Sequence, residues 1–217
     1  MASEASEVPR TLPRGRHGLS RETVRASQRT RLLEAMVEVS AQHGYPAVTV
    51  THVVESARVA RRTFYEHFQT KEACFLAAFE YTAEEIITPL LGAFEPVDDV
   101  MQRADAYVAA LLDSLARRPA LARMLVVEVG SGGPTAISRR LEMHRRIAEA
   151  IVALNRQTRT LGVDVPALPS SRALAMVGAL VELMHATIHD HGAEHLRRLR
   201  PELTTIVALL VSEPPTP

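Results

Sequence analysis

Apolar residues recur at helical spacing along most of the chain, and strand-like alternation never persists over a useful length. From Ser20 onward Leu33, Met36, Val37 and Ser40 fall on one face, and Gly44 stands where a glycine ends a helix. Thr49 offers an N-cap to a short helix over 50–56, whose Val50, Val53 and Val54 point inward. A turn follows, and then a second short helix over 61–68 with Phe64 and Phe68 on its buried side. Thr70 caps the next helix, which opens Lys71-Glu72 and carries Phe75, Leu76 and Phe79. Two short helices joined by a tight turn and braced by longer ones make a helix-turn-helix.

Beyond residue 80 the pattern predicts helices over about 98–117, 119–129, 135–161, 170–191 and 195–211. Pro96, Pro119, the Gly130-Ser131-Gly132-Gly133-Pro134 loop, Pro166, Pro169 and Gly192 separate them. The expected fold is all-α. A Pro-, Ser- and Arg-rich stretch over 1–19 reads as a disordered basic arm. A three-helix domain built on this helix-turn-helix is expected over 20–70, and a larger helical domain over 71–213. The tail from Pro214 to Pro217 is expected to fray.

Charge sharpens this division. The chain is formally neutral, yet residues 10 to 71 hold eleven Lys/Arg against five Glu, and the remainder is net acidic. Such asymmetry marks a segment that binds polyanions, although a solvated basic face has the same signature. Seven of the nine aromatics lie between Tyr45 and Tyr81, where they brace a small domain. Cys74 is the only cysteine, which excludes a disulfide framework and suits a reducing compartment. The N-terminus lacks the apolar core of a secretory signal. The longest apolar run, Ala173 to Met184, is interrupted by Glu182 and is short for a bilayer span. A soluble, cytoplasmic protein without a membrane partner is expected.

A recognition helix needs a buried face to fix its angle and an exposed face of donors for phosphates and base edges. Residues 61 to 71 supply both. Phe64 and Phe68 anchor, Arg61, Arg62, Thr63 and His67 stay exposed, and Tyr65 presents its hydroxyl. Lys71 adds charge to a helix N-terminus that already favours an anion.

Gly44-Tyr45, Thr49-Val50, Ala57-x-Val59 and Thr63-Phe64-Tyr65-x-His67-Phe68-x-x-Lys71-Glu72 together resemble the DNA-binding signature of the TetR family of bacterial regulators. The resemblance covers about residues 30 to 79. It implies a homodimer with a ligand-binding helical domain on the C-terminal side. Thr49, Tyr65, His67 and Lys71 match family phosphate contacts, and Arg61, Arg62 and Thr63 match the variable base-reading positions. Two residues depart from the pattern. Arg58 replaces the usual turn glycine and Ala60 the usual Ser/Thr cap, each at a cost of about 1 kcal/mol.

Weaker signals lie elsewhere. Arg14 and Arg16 have the spacing of a minor-groove arm, or of a solvated basic tail. Met101, Tyr107, Met124, Met143 and Met184 are soft or aromatic residues suited to an adaptable cavity, with Glu128, His144 or Asn155 to orient a polar group, and ordinary core is the alternative. In the family, positions such as Leu174, Val177, Val181, Ile206 and Leu210 pack across a two-fold axis. Without that analogy they read as monomer core. His185, His189, His191 and His195 invite a metal reading, but a helix end also suits histidine, so no metal is assigned. There is no catalytic triad pattern, phosphate loop or dinucleotide fingerprint, so neither an enzyme nor a cofactor is expected.

The sequence therefore points to a dimeric, ligand-responsive transcriptional regulator. It is expected to be a repressor that binds double-stranded DNA at a palindromic operator and is released by a small apolar effector. The alternatives are a constitutive DNA-binding dimer without a ligand, and a metal-binding bundle or enzyme.

Overall fold

A computed structural model of the chain describes residues 20–92 and 99–212. The basic arm with Arg14 and Arg16, the segment with Phe94 and Pro96, and the C-terminal tail lie outside the described residues. Helix α1 (Arg21–His43) starts where the Ser20 hydroxyl accepts the Thr23 N–H at 3.0 Å. It ends at Gly44, whose φ of 74° favours glycine. After a 3₁₀ turn (Tyr45–Ala47) come α2 (Val50–Ala57), α3 (Arg61–His67) and α4 (Lys71–Gly92). Then follow α5 (Val100–Arg117), α6 (Pro119–Val126), a 3₁₀ segment (Glu128–Ser131), α7 (Gly133–Thr160) and α8 (Ser170–His191). A 3₁₀ segment (Ala193–Leu199) and α9 (Arg200–Ser212) complete an all-helical fold, with no strand among the described residues.

Two expected helices are broken. The one over 119–129 stops at Val126 and tightens into 3₁₀ geometry, where Gly130 and Gly132 lower the propensity to continue. The one over 195–211 begins as 3₁₀ and becomes α-helical only at Arg200. Pro201, lacking an N–H, fits the first turn of a new helix and not the interior of an old one.

One apolar cluster runs through the molecule, from Leu32 and Met36 through Phe64, Phe75 and Phe79 to Met124, Val129, Leu196 and Leu203. Helix α4 joins its two ends: Cys74, Phe75 and Phe79 pack near α1, and Ile86 lies farther along. The Phe75 ring stacks on Tyr45 with centroids 3.8 Å apart. Gly132 closes against the same ring, since a Cβ there would stand 2.6 Å from Phe75 Cε1 and 2.5 Å from the Ala136 Cβ. Arg197 to Asp113 and Arg200 to Asp105, both at 2.6 Å, tie the C-terminal elements to α5.

Helix α8 is longer than the apolar run within it suggests. Its 22 residues meet the length and hydropathy of a membrane span, yet only 28% of its most apolar window is buried. Its inner side, with Met176, Val177 and Met184, is buried, whereas Leu174, Ala175, Gly178, Glu182 and Ala186 form an exposed outer side.

Candidate nucleic-acid interface and apolar cavity

The turn between α2 and α3 adopts the conformation a glycine would give it. Arg58 lies in the left-handed region at φ 52°, ψ 48°, and is the only non-glycine residue with positive φ among those described. Ala60 provides no side-chain cap to α3. The end of α2 is secured from outside the turn. The Arg31 guanidinium, on α1, donates from Nε to the Ala57 carbonyl at 3.0 Å and from Nη2 to the Arg58 carbonyl at 2.6 Å. A charged donor on carbonyls that a helix end leaves open contributes more than a neutral one. At the other end of α2, Thr49 Oγ1 accepts the His52 N–H at 3.2 Å while the Thr49 N–H faces His52 Nδ1 at 3.4 Å.

With the turn fixed, Phe64 and Phe68 are buried and α3 turns Arg61, Arg62 and Tyr65 outward, with Thr63 and His67 half-buried. Arg61 lies over the Tyr65 ring at 5.9 Å, and Arg62 pairs with Glu66 at 3.1 Å. Both are exposed contacts that water weakens. Arg21 and Arg25 of α1 share a shallow depression with Glu66 and His67, so the basic stripe of α1 adjoins α3. Burial, with Arg25 and Arg29 nearby, holds His67 below its ordinary pKa. Arg21, Arg25, Arg29, Arg58, Arg61 and Arg62 are all exposed cations around these helices.

Lys71 also has a role inside the fold. Its Nζ donates to the carbonyls of Val48 at 2.8 Å and Tyr45 at 3.2 Å and sits 4.4 Å from the Tyr45 ring centroid. The ammonium is already engaged in folding the 3₁₀ turn against α4.

A cavity of about 260 Å³ opens among α4, α5, α6, α7, α8 and α9. Tyr107, Met143, His144 and Met184 line it, together with Asn155. Three expected ligand residues do not. Met101, in the first turn of α5, is 44% exposed, whereas Met124 is fully buried in the core, away from the cavity side of α6. Glu128 is 3% exposed and its carboxylate is fully used, accepting the Tyr45 N–H at 2.9 Å and the Arg123 Nη2 at 2.9 Å. Two expected dimer residues, Val177 and Val181, face the cavity instead, because the apolar stripe of α8 is wide enough to serve both sides. Leu174 is exposed, while Ile206 packs against the core and Leu210 is half-buried. The outward apolar residue of α9 is Leu209, at 57% exposure. Among the described residues no three metal-ligating side chains converge; His195 Nδ1 instead meets the His191 carbonyl.

A buried-face, exposed-cation short helix set by a tight turn is a helix-turn-helix, here attached to a helical body with its own cavity. Residues 32–78 match the family model described as bacterial regulatory proteins, tetR family. That segment is a DNA-binding head of this family of transcriptional regulators. The chain is 28% identical over 92 residues to the HTH-type transcriptional regulator YxbF of Bacillus subtilis, covering 42% of this chain but only 24% of that protein. It is 24% identical over 173 residues to UidR of Escherichia coli, covering 78% of this chain and 84% of UidR. In fold it resembles the transcriptional regulator FadR of Bacillus subtilis, solved in complex with stearoyl-CoA. There the TM-score is 0.67 at 18% identity, over 84% of this chain and 97% of that one.

Proposed function

We propose that this chain is a homodimeric, ligand-responsive repressor, acting in the cytoplasm on a palindromic operator and released by an apolar, chain-like effector. Residues 20–70 serve as the reading head and 71–213 as the sensing and pairing body. Arg61, Arg62 and Thr63 face base edges, while Thr49, Tyr65 and His67 face phosphates, with Arg14 and Arg16 of the arm following the backbone. An arginine bidentate to guanine contributes about 1–3 kcal/mol of base discrimination.

One observation carries the reading. Leu125 and Val126 line the cavity, and two residues later Glu128 holds the Tyr45 backbone beside α2. A ligand that displaces α6 therefore bears directly on the spacing of the reading heads. By linkage, operator DNA opposes such a ligand to the same extent. The aliphatic cavity favours this over a constitutive DNA-binding dimer, whose body needs no space. FadR, similar in fold, is solved with stearoyl-CoA, which supports an acyl chain as the effector class. Pairing is supported by the outer side of α8, where Leu174 is uncovered, and by Leu209, uncovered on α9.

The test is fluorescence anisotropy on DNA upstream of the protein's own coding region, with stearoyl-CoA, free coenzyme A or no addition, alongside sedimentation. A dimer that binds a two-fold site and loses affinity with stearoyl-CoA alone is expected. Operator affinity indifferent to acyl chains of every length would leave a constitutive binder.

A further inference from the structure

We infer that the effector is an elongated aliphatic chain carrying an uncharged oxygen function, a hydroxyl or carbonyl, at the end that lies against His144. This rests on the cavity being the effector site.

The orientation of the cavity follows from three contacts. Arg139 near the start of α7 meets Glu80 at 3.7 Å, and Arg118 just after α5 meets Glu85 at 3.0 Å, so both ends lie beside the same stretch of α4. The opposite ends meet where Arg103 of α5 donates to Thr158 Oγ1 of α7 at 2.6 Å. The two helices thus run antiparallel along the cavity. His144 lies fourteen residues before Thr158, about 21 Å along the helix, and Tyr107 is about 6 Å along α5 from Arg103. Tyr107 and His144 are therefore separated by about 15 Å along the cavity.

Between them the wall is aliphatic, with Val108, Leu111, Ile147, Ile151 and Leu180. At the two levels, however, the Tyr107 hydroxyl and His144 Nε2 are buried atoms without a hydrogen-bond partner among the described residues. Such an atom lowers stability unless something bonds to it. His144 is only 7% exposed, and burial with Arg140 alongside lowers its pKa, which favours the neutral imidazole. A neutral ring nitrogen in an apolar wall matches a hydroxyl or carbonyl, whereas a carboxylate there would lose its hydration with only Arg140, outside the cavity lining, to offset the cost. A saturated chain would leave Nε2 unpaired.

A zigzag of C–C bonds advances about 1.25 Å per bond, so about twelve bonds separate the two polar groups. The probes are accordingly 12-hydroxydodecanoate and dodecanoate, titrated calorimetrically into the full chain. The hydroxylated probe should bind roughly tenfold more tightly, the value of one neutral hydrogen bond. His144→Leu should abolish or reverse that preference, and His144→Gln, which keeps a hydrogen-bonding group, should retain part of it. Equal affinity for the two probes, or a preference that survives His144→Leu, overturns the inference while leaving acyl-chain sensing intact. Binding of neither probe, by protein that still binds operator, overturns the cavity as effector site and this inference with it.

Discussion

The carboxylate of Glu128 accepts the backbone N–H of Tyr45 at 2.9 Å, joining segments 83 residues apart in the chain. On the other side of the same turn, Lys71 holds the Tyr45 carbonyl. The short segment that leads into α2 is thus gripped from the body and from α4 at once. Both grips are made by charged groups on backbone atoms, which gives them strength and direction.

Removing the Glu128 carboxylate leaves the Tyr45 N–H and a partly buried Arg123 unpaired. Glu128→Ala should lower unfolding stability by about 2–4 kcal/mol, and Glu128→Gln, which still accepts from Tyr45, by about 1 kcal/mol. Urea unfolding measures both. In Glu128→Gln, effector binding should persist while its effect on operator affinity shrinks.

Lys71→Met separates a structural role from a DNA-facing one. Loss of two bonds to carbonyls and a ring contact should reduce stability by about 1–3 kcal/mol without any DNA present. A lysine that served only phosphates would leave the urea midpoint unchanged and alter only the salt dependence of binding.

At the turn, Arg58→Gly should raise stability by up to about 1 kcal/mol, because glycine occupies the left-handed region without strain. Arg31→Ala should lower it by about 1–2 kcal/mol through loss of the bonds to Ala57 and Arg58. Thermal unfolding of the two variants and their combination gives sign and coupling.

Asp105 and Asp113 predict the response to acid. Hydrogen bonds from Arg200 and Thr204 to Asp105, and from Arg197 to Asp113, hold both carboxyls below their ordinary value of 3.8. The folded state therefore binds fewer protons than the unfolded chain in this range. Their contribution is complete above pH 3.8 and is lost as pH falls through the depressed values. Asp105→Asn with Asp113→Asn should flatten the stability profile there and leave neutral-pH behaviour of the other carboxylates unaffected.

The helix-turn-helix was legible because its determinants are local. Ser20, Gly44, Thr49 and Thr70 each act on a backbone group within four residues, and Phe64 and Phe68 follow one helical period. The clamp was not legible, because Arg31, Lys71 and Glu128 reach carbonyls or amides that any sequence carries. Glu128 reads from sequence as a residue that orients a ligand, and its type alone does not name the Tyr45 amide as its partner. The cavity was half legible. Tyr107, Met143, His144 and Met184 lie in phase with it, but residue type alone did not separate Met101 at a helix start or Met124 on the core side of α6. On α8 a wide apolar stripe concealed which side faces inward.

Cys74 is fully enclosed beneath α1, and burial pushes its thiol up to about 12. Without thiolate at neutral pH it resists oxidants and alkylating agents while the helices stay closed. A thiol-reactive dye can therefore tag the protein only during moments of local opening, so the labelling rate is a clock for such openings. The native chain thus carries its own breathing sensor, which needs no introduced probe and can be timed with and without operator.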